Sequence, residues 1–294
     1  MGIKIKKIMY YIINKCGIPF LVRNFFQRNK VTILLFHDLK TDSAAKVLKF
    51  VKDKYNIIKL DTFINAIKNQ TASEIPEKAV IITFDDGHFN NYNLLPIIKE
   101  ESIPITLFLC SSIVGTRRKF WFKNEEIFDI KSKLKKVSNR NRLNILSQKK
   151  VPQKKEYRSP QALTLKQINE MKYFVDFQSH TRYHPILPMC NYEEAQDEIS
   201  NSKKELEDTF NIEISSISYP NGDYSERDIL LAKESGYKCG VTVDSGYNTS
   251  KTDLFKLKRL SLNDTGDLNE LSIRACGLIS FFKPRSGLHE NPKK

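Results

Sequence analysis

Two carboxylates, Asp85 and Asp86, stand side by side at the end of an uncharged, β-branched run over residues 79–84, and a glycine follows them. Such a run suits a strand buried on both faces, as in a parallel sheet. Gly87 allows a sharp turn that a residue with a Cβ resists. Two neighbouring carboxylates in one cleft repel each other as anions. The arrangement settles if one ligates a cation and the other is left to accept protons. Alone, these residues favour a solvated Asp-Asp-Gly turn. The second cluster, His180-Thr181-Arg182-Tyr183-His184, favours the chemical reading.

His180 and His184 are four apart. On a helical turn they share a face and can bind one ion through their imidazole nitrogens. Two unrelated surface histidines are the alternative, but the chain has only five histidines in all. With one carboxylate of the Asp pair the set becomes two His and one Asp. Three protein ligands with open positions describe a catalytic zinc site better than a structural one. A bound divalent metal acidifies its water and polarises a carbonyl oxygen. An unligated carboxylate beside it takes the water's proton. This is hydrolytic machinery for an amide or an ester.

The elements that must position these groups alternate. Strands are expected over residues 31–36, 56–60, 79–84, 104–109, 174–178, 214–219, 238–243 and 255–262. Helices are expected over 43–55, 61–67, 93–101, 164–171, 192–210, 225–235 and 267–276. Asp61, Thr164 and Ser225 are the expected caps. The alternation implies a parallel sheet covered by helices, and its length favours a (β/α) barrel of about seven units over an open sheet. In such a barrel the strand ends meet on one face. His37-Asp38, Asp85-Asp86, His180, His184 and Tyr219-Pro220 all follow strands.

Residues 1–30 read as a basic, amphipathic helical extension broken near Gly17-Ile18-Pro19. Lys4, Lys6 and Lys7 precede an apolar run that Asn14 and Lys15 cut short, and no small-residue cleavage site follows. Two readings stay open: a helix lying on a membrane surface, or one packed against the domain. The domain itself is expected over 31–283, with a frayed tail over 284–294. A basic insertion near 116–161, rich in lysine and arginine from Lys131 to Arg158, reads as a solvated face with a flexible loop, without a second core, or as a mobile lid over an anionic substrate. The net charge of +14 favours anionic partners. No aromatic-basic cluster marks a nucleic-acid binder. No apolar run reaches the roughly 18 residues of a membrane span. The five cysteines form no C-x-x-C pair and read as reduced thiols in a reducing, cytoplasmic compartment.

Thr83-Phe84-Asp85-Asp86-Gly87, Ser179-His180-Thr181-Arg182-Tyr183-His184 and Ser218-Tyr219-Pro220-Asn221-Gly222 resemble, in order and spacing, the motifs of the polysaccharide deacetylase (NodB-homology) family. The resemblance covers roughly residues 31–265. It implies a distorted (β/α) barrel that removes acetyl groups from N-acetylated sugars with a divalent metal, usually zinc. By resemblance, Asp86, His180 and His184 are the metal ligands, Asp85 is the catalytic base, and the backbone N–H of Tyr219 helps hold the oxyanion. Four features depart from the family. Ser218 stands where an arginine often pairs with the base, and Arg259 is the candidate replacement, unless it is a surface residue on an edge strand. The family's C-terminal His-Asp pair is missing, since His289 is followed by Glu290. His37-Asp38 looks like that motif moved to the front, as in the branch resembling poly-N-acetylglucosamine deacetylases. His37 is then the general acid, or else a core histidine at a strand end. Gln178 stands where a glycine is common before the Ser-His, and His88 where an aromatic is common.

The expected substrate is an acetylated amino-sugar glycan or its lipid-linked precursor, met at the inner face of the cytoplasmic membrane. Two alternatives remain: an amide hydrolase acting outside sugars, and a non-catalytic glycan-binding member. An unligated base beside a metal argues against the second, because binding alone does not need one.

Overall fold

A computed structural model describes residues 3–279. The expected tail over 284–294, the last residues of the 31–283 domain and His289 lie outside the described residues. The sheet runs β1 (Thr32–Phe36), β2 (Asn56–Ile57), β3 (Ala79–Phe84), β4 (Ile105–Leu109), β5 (Val175–Ser179), β6 (Ser216–Ser218), β7 (Cys239–Val241) and β8 (Leu260–Ser261). Its order is β7-β6-β5-β4-β3-β1-β8, with β2 paired to the first residues of β3, and the ladders are parallel. The sheet curls until a parallel bridge between Val241 and Leu257 joins its two edges. The Thr242 N–H donates to the Leu257 carbonyl at 2.9 Å, which seals the seam. The result is the distorted (β/α) barrel expected.

The strand sequences explain both the burial and the aim of the site. Every residue of β1, β3 and β4 is buried, which is why they carry no charge. Successive side chains of a strand point to opposite faces. Leu34, Phe36, Val80, Ile82 and Phe84 join the large cluster under the helices. Ile33, Ile81, Phe108, Val241 and Leu257 form a second cluster that fills the barrel. Thr83 and Asp85 share the inward parity of Ile81, and Arg259 shares that of Leu257.

The helices are α1 (Ile3–Lys15), α2 (Ile18–Leu21), α3 (Thr41–Lys54), α4 (Leu60–Lys68), α5 (Leu95–Glu101), α6 (Lys131–Leu134), α7 (Asn139–Gln148), α8 (Leu165–Met171), α9 (Tyr192–Phe210), α10 (Glu226–Glu234) and α11 (Leu268–Ala275). Thr164 and Ser225 cap α8 and α10 in reciprocal capping boxes with Gln167 and Asp228. Asp61 is not a cap: α4 already begins at Leu60, whose burial beside Phe63 and Ile64 outweighs an extended continuation of β2, and the Asp61 carboxylate accepts from Asn65 instead. The expected strand over 255–262 shrinks to two residues, because Leu257 makes only the closing bridge. α1 and α2 are separated at Gly17, whose φ of 72° lies in the left-handed region. Among the described residues no helix is long and apolar enough to cross a membrane. All five cysteines are free thiols.

The insertion differs from its expectation. Trp121, Ile127, Leu134, Leu146 and Val151 are buried together in a satellite core. The lysines that dominate its composition sit around this cluster, so the segment 116–161 is a packed substructure with a basic surface.

The seam depends on a glycine. Tyr219 lies against Gly240 on β7, where a Cβ would run into its ring, and its hydroxyl donates to the Phe255 carbonyl at 3.2 Å. Gly240→Ala is expected to destabilise the fold by about 1–3 kcal/mol through overpacking. Urea denaturation checks this; an unchanged midpoint would show that the ring moves aside freely.

Candidate active site

Asp85 is the first residue past β3 and Asp86 the next. Asp86 has φ 74° and Gly87 φ 77°. Two left-handed residues in succession break the strand's alternation, so both carboxylates enter one space. At Gly87 a Cβ would lie 2.6 Å from Leu109 Cδ2, so glycine is required there by space as well as by φ.

The histidines are not on a helical turn. They flank a loop after β5 in which Thr181 (φ 63°) and His184 (φ 57°) are left-handed. Side-chain anchors hold this loop. Glu198 of α9 accepts from the Arg182 and Tyr183 N–H groups, both at 2.8 Å. From the insertion, Trp121 Nε1 donates to the His184 carbonyl at 2.8 Å, and the Phe122 ring lies 4.6 Å from that of His184. The two imidazoles still converge, with ring centroids 4.7 Å apart.

Asp86 Oδ1 lies 3.5 Å from His180 Nε2 and 3.4 Å from His184 Nε2. That oxygen is buried and has no hydrogen-bond partner. The three ligand atoms of Asp86, His180 and His184 lie within 4.8 Å of one another. An orphaned carboxylate oxygen facing two imidazole nitrogens fits a divalent cation, because an ion satisfies all three at once. His180 Nδ1 lies 2.7 Å from the Ser218 carbonyl. A carbonyl only accepts, so Nδ1 carries a proton and Nε2 is the nitrogen turned towards Asp86. Burial and the neighbouring His180 push His184 down to about 3, which keeps its ring neutral. Burial alone would raise Asp86, but the facing His180 ring and the hydrogen bond from His88 hold it well below the usual carboxylate range.

Asp85 has a different environment. Arg259, fully buried, grips it with Nη1 to Oδ1 at 2.8 Å and Nη2 to Oδ2 at 2.7 Å. The Ser218 hydroxyl donates to Asp85 Oδ2 at 3.1 Å and accepts from Arg259 Nη2 at 3.0 Å. The arginine therefore reaches Asp85 from just ahead of β8, and the smaller Ser218 leaves room for it. Burial works against ionisation, but Arg259 and His180 outweigh it and hold Asp85 at about 2.

His37 sits at the end of β1, half-buried. Asp264 Oδ1 accepts from its N–H at 3.1 Å, and Asn91 Nδ2 donates to its carbonyl at 2.9 Å. β1 pairs Phe36 with Phe84, and the Asp85 N–H donates to the Phe36 carbonyl at 3.0 Å, so His37 leaves its strand beside Asp85. The Tyr219 N–H, expected to help hold an oxyanion, donates to the Val241 carbonyl at 3.2 Å, next to the β6–β7 ladder. Of the expected residues, Asp85, Asp86, His180, His184, Arg259 and His37 come together, whereas Tyr219 serves the barrel seam. Sequence reasoning passed over a neighbour. His88 Nε2 donates to Asp86 Oδ2 at 2.9 Å, and Lys123 of the insertion lies 3.2 Å from His88 Nδ1. The only signal was its departure from an aromatic after Gly87.

The polysaccharide deacetylase family matches residues 72–240, more than half of the chain. The chain belongs to this family and is a hydrolase of the polysaccharide deacetylase type. His37 and Arg259 lie outside the matched span. YxkH of Bacillus subtilis (strain 168), a protein named for the same family, is 24% identical over 243 residues, 80% of this chain and 72% of that protein. The fold matches the Streptococcus pyogenes deacetylase PplD in complex with acetate at a TM-score of 0.61, with 23% identity, over 87% of this chain and 99% of that one. IcaB from Ammonifex degensii matches at 0.60, with 14% identity, over 84% and 97%.

The buried pair makes its own prediction. Arg259→Met strands the Asp85 carboxylate and should cost about 3–5 kcal/mol at neutral pH. Asp85 is depressed in the folded state, so its contribution is present above the unfolded carboxylate pKa and is lost as pH falls towards 2. The deficit of the variant should therefore shrink in acid. Denaturation at several pH values checks this; a deficit independent of pH would assign the loss to packing.

Proposed function

We propose that this chain hydrolyses the N-acetyl amide of an acetylated amino sugar and releases acetate, using one divalent metal held by Asp86, His180 and His184. The observation that carries this reading is the unpartnered Asp86 oxygen facing two imidazole nitrogens, beside a second carboxylate that Arg259 holds through both its oxygens. When bound, the metal would acidify a water and polarise the acetyl carbonyl, and zinc suits this donor set.

The chain's own residues do the rest. Asp85 stays ionised at neutral pH and is the base that takes the water's proton. Arg259 makes it a weak base, so it is competent only because that proton is itself made acidic. Arg259 and Ser218 fix the carboxylate's orientation. His37, across the mouth from β1, protonates the departing amine, which would otherwise leave as an amide anion. Phe122 and Trp121 hold the His184 side of the site and exclude water from it.

The substrate is an acetylated amino-sugar glycan. The finer reading is a lipid-linked precursor carrying phosphate, met at the cytoplasmic membrane face. A net charge of +14 and the basic surface of the insertion support it.

Acetate release from N-acetylglucosamine oligomers and from lipid-linked acetylated sugars tests the proposal. Asp85→Asn should lower the rate by about two to four orders of magnitude while retaining bound metal, and His37→Gln by about two. Glycan binding without acetate release would favour a non-catalytic member. Acetate released only from non-sugar amides would leave the machinery and remove the substrate.

A further inference from the structure

The arm that precedes the barrel presents two faces of different character. On α1, Tyr10, Ile13 and Asn14 turn inward, and Asn14 Nδ2 donates to the Asn269 carbonyl of α11 at 2.9 Å. Further on, Val22, Arg23 and Gln27 are buried, and Gln27 Nε2 donates to the Ala275 carbonyl at 2.9 Å. The arm is thus fastened along α11 at two points. Among the described residues, nothing covers its other face. Ile5, Ile8, Met9 and Ile12 recur at three- and four-residue intervals on the exposed side of α1. Phe20, Leu21, Phe25 and Phe26 continue the exposure through α2 and the turn after it, with Phe25 at 73% and Phe26 at 61%. Water-soluble surfaces rarely carry so many large apolar side chains in one segment unless something covers them.

The charge around this face says what covers it. Lys4, Lys6, Lys7 and Lys15 are exposed on α1, and no acidic residue occurs before Asp38. A second copy docked on the same face would bring like charges together. An anionic lipid surface satisfies both features: headgroup phosphates meet the lysines, and the isoleucines and phenylalanines enter the acyl boundary.

We infer that the exposed face of residues 5–26 is a membrane-docking surface for anionic phospholipid, holding the barrel to the bilayer by its α11 side. The two open readings of this segment are then both met, one by each face. The inference stands on exposure and charge alone and does not depend on the hydrolytic reading. If both hold, docking places the enzyme where a lipid-linked sugar is presented.

Vesicle sedimentation of the full chain tests it, with phosphatidylcholine vesicles containing or lacking phosphatidylglycerol. The chain should bind the anionic vesicles, more weakly as salt rises. Ile8→Glu combined with Phe25→Glu should weaken binding by about tenfold or more. Both positions are exposed, so the thermal midpoint should match the wild type and separate lost docking from lost folding. No binding to anionic vesicles would overturn the inference, as would equal binding by the folded double variant. A dimer abolished by that variant, without vesicle binding, would assign the face to a second copy. Since no turnover is read, failure of the deacetylase assay leaves this result unaffected.

Discussion

The site depends on how the Arg259 guanidinium is satisfied inside the barrel. It has five N–H groups and no acceptor. Nε donates to the Thr242 carbonyl at 2.7 Å, Nη1 to Asp85 and to Thr83 Oγ1 at 3.3 Å, and Nη2 to Asp85 and to Ser218. A buried ion pair of this kind is costly to desolvate and is tolerated when its remaining hydrogen bonds are made. Here they are made by residues of β3, the end of β6 and the segment after β7, reached from just ahead of β8. One side chain thus ties together the strands that a curled sheet would otherwise let splay, and it holds Asp85 as an oriented anion.

This division of labour lets two adjacent carboxylates coexist. Asp85 is neutralised by the arginine. Asp86 is turned away by its left-handed backbone towards the histidines, with His88 on its other oxygen. The imidazoles arrive on a loop rather than a helix, so they need outside support. Glu198 supplies it from α9 and Trp121 from the insertion. Burial raises Glu198 to about 7, although its two N–H partners favour the charged form. The insertion is therefore part of the wall of the site, and its small core is what makes Trp121 and Phe122 rigid enough to serve.

Much of this was legible in the chain. Uncharged strands such as β3 and β4 announce a sheet buried on both faces, and the capping boxes at Thr164 and Ser225 are local signals that the structure keeps. The Asp pair and the His pair point to one another because strand ends in a parallel barrel share a face. Other features were illegible for stated reasons. The partner of Arg259 lies 174 residues away, and sequence could only nominate it as a replacement for the residue missing at Ser218. The loop carrying His184 depends on left-handed φ at Thr181 and His184 itself, positions where neither residue type signals it. The satellite core was hidden by the lysines that surround it, since composition averages over faces. Tyr219 was nominated by motif position alone, and sequence carried no sign that its N–H meets the Val241 carbonyl.

The central claim is that Asp86, His180 and His184 hold a single ion. Elemental mass spectrometry of the purified chain beside Asp86→Ala and His180→Ala tests it most directly. The account predicts about one divalent ion per chain in the wild type and its loss in both variants. A wild type that takes up no ion after zinc is supplied and the excess removed would contradict it, as would variants that keep theirs.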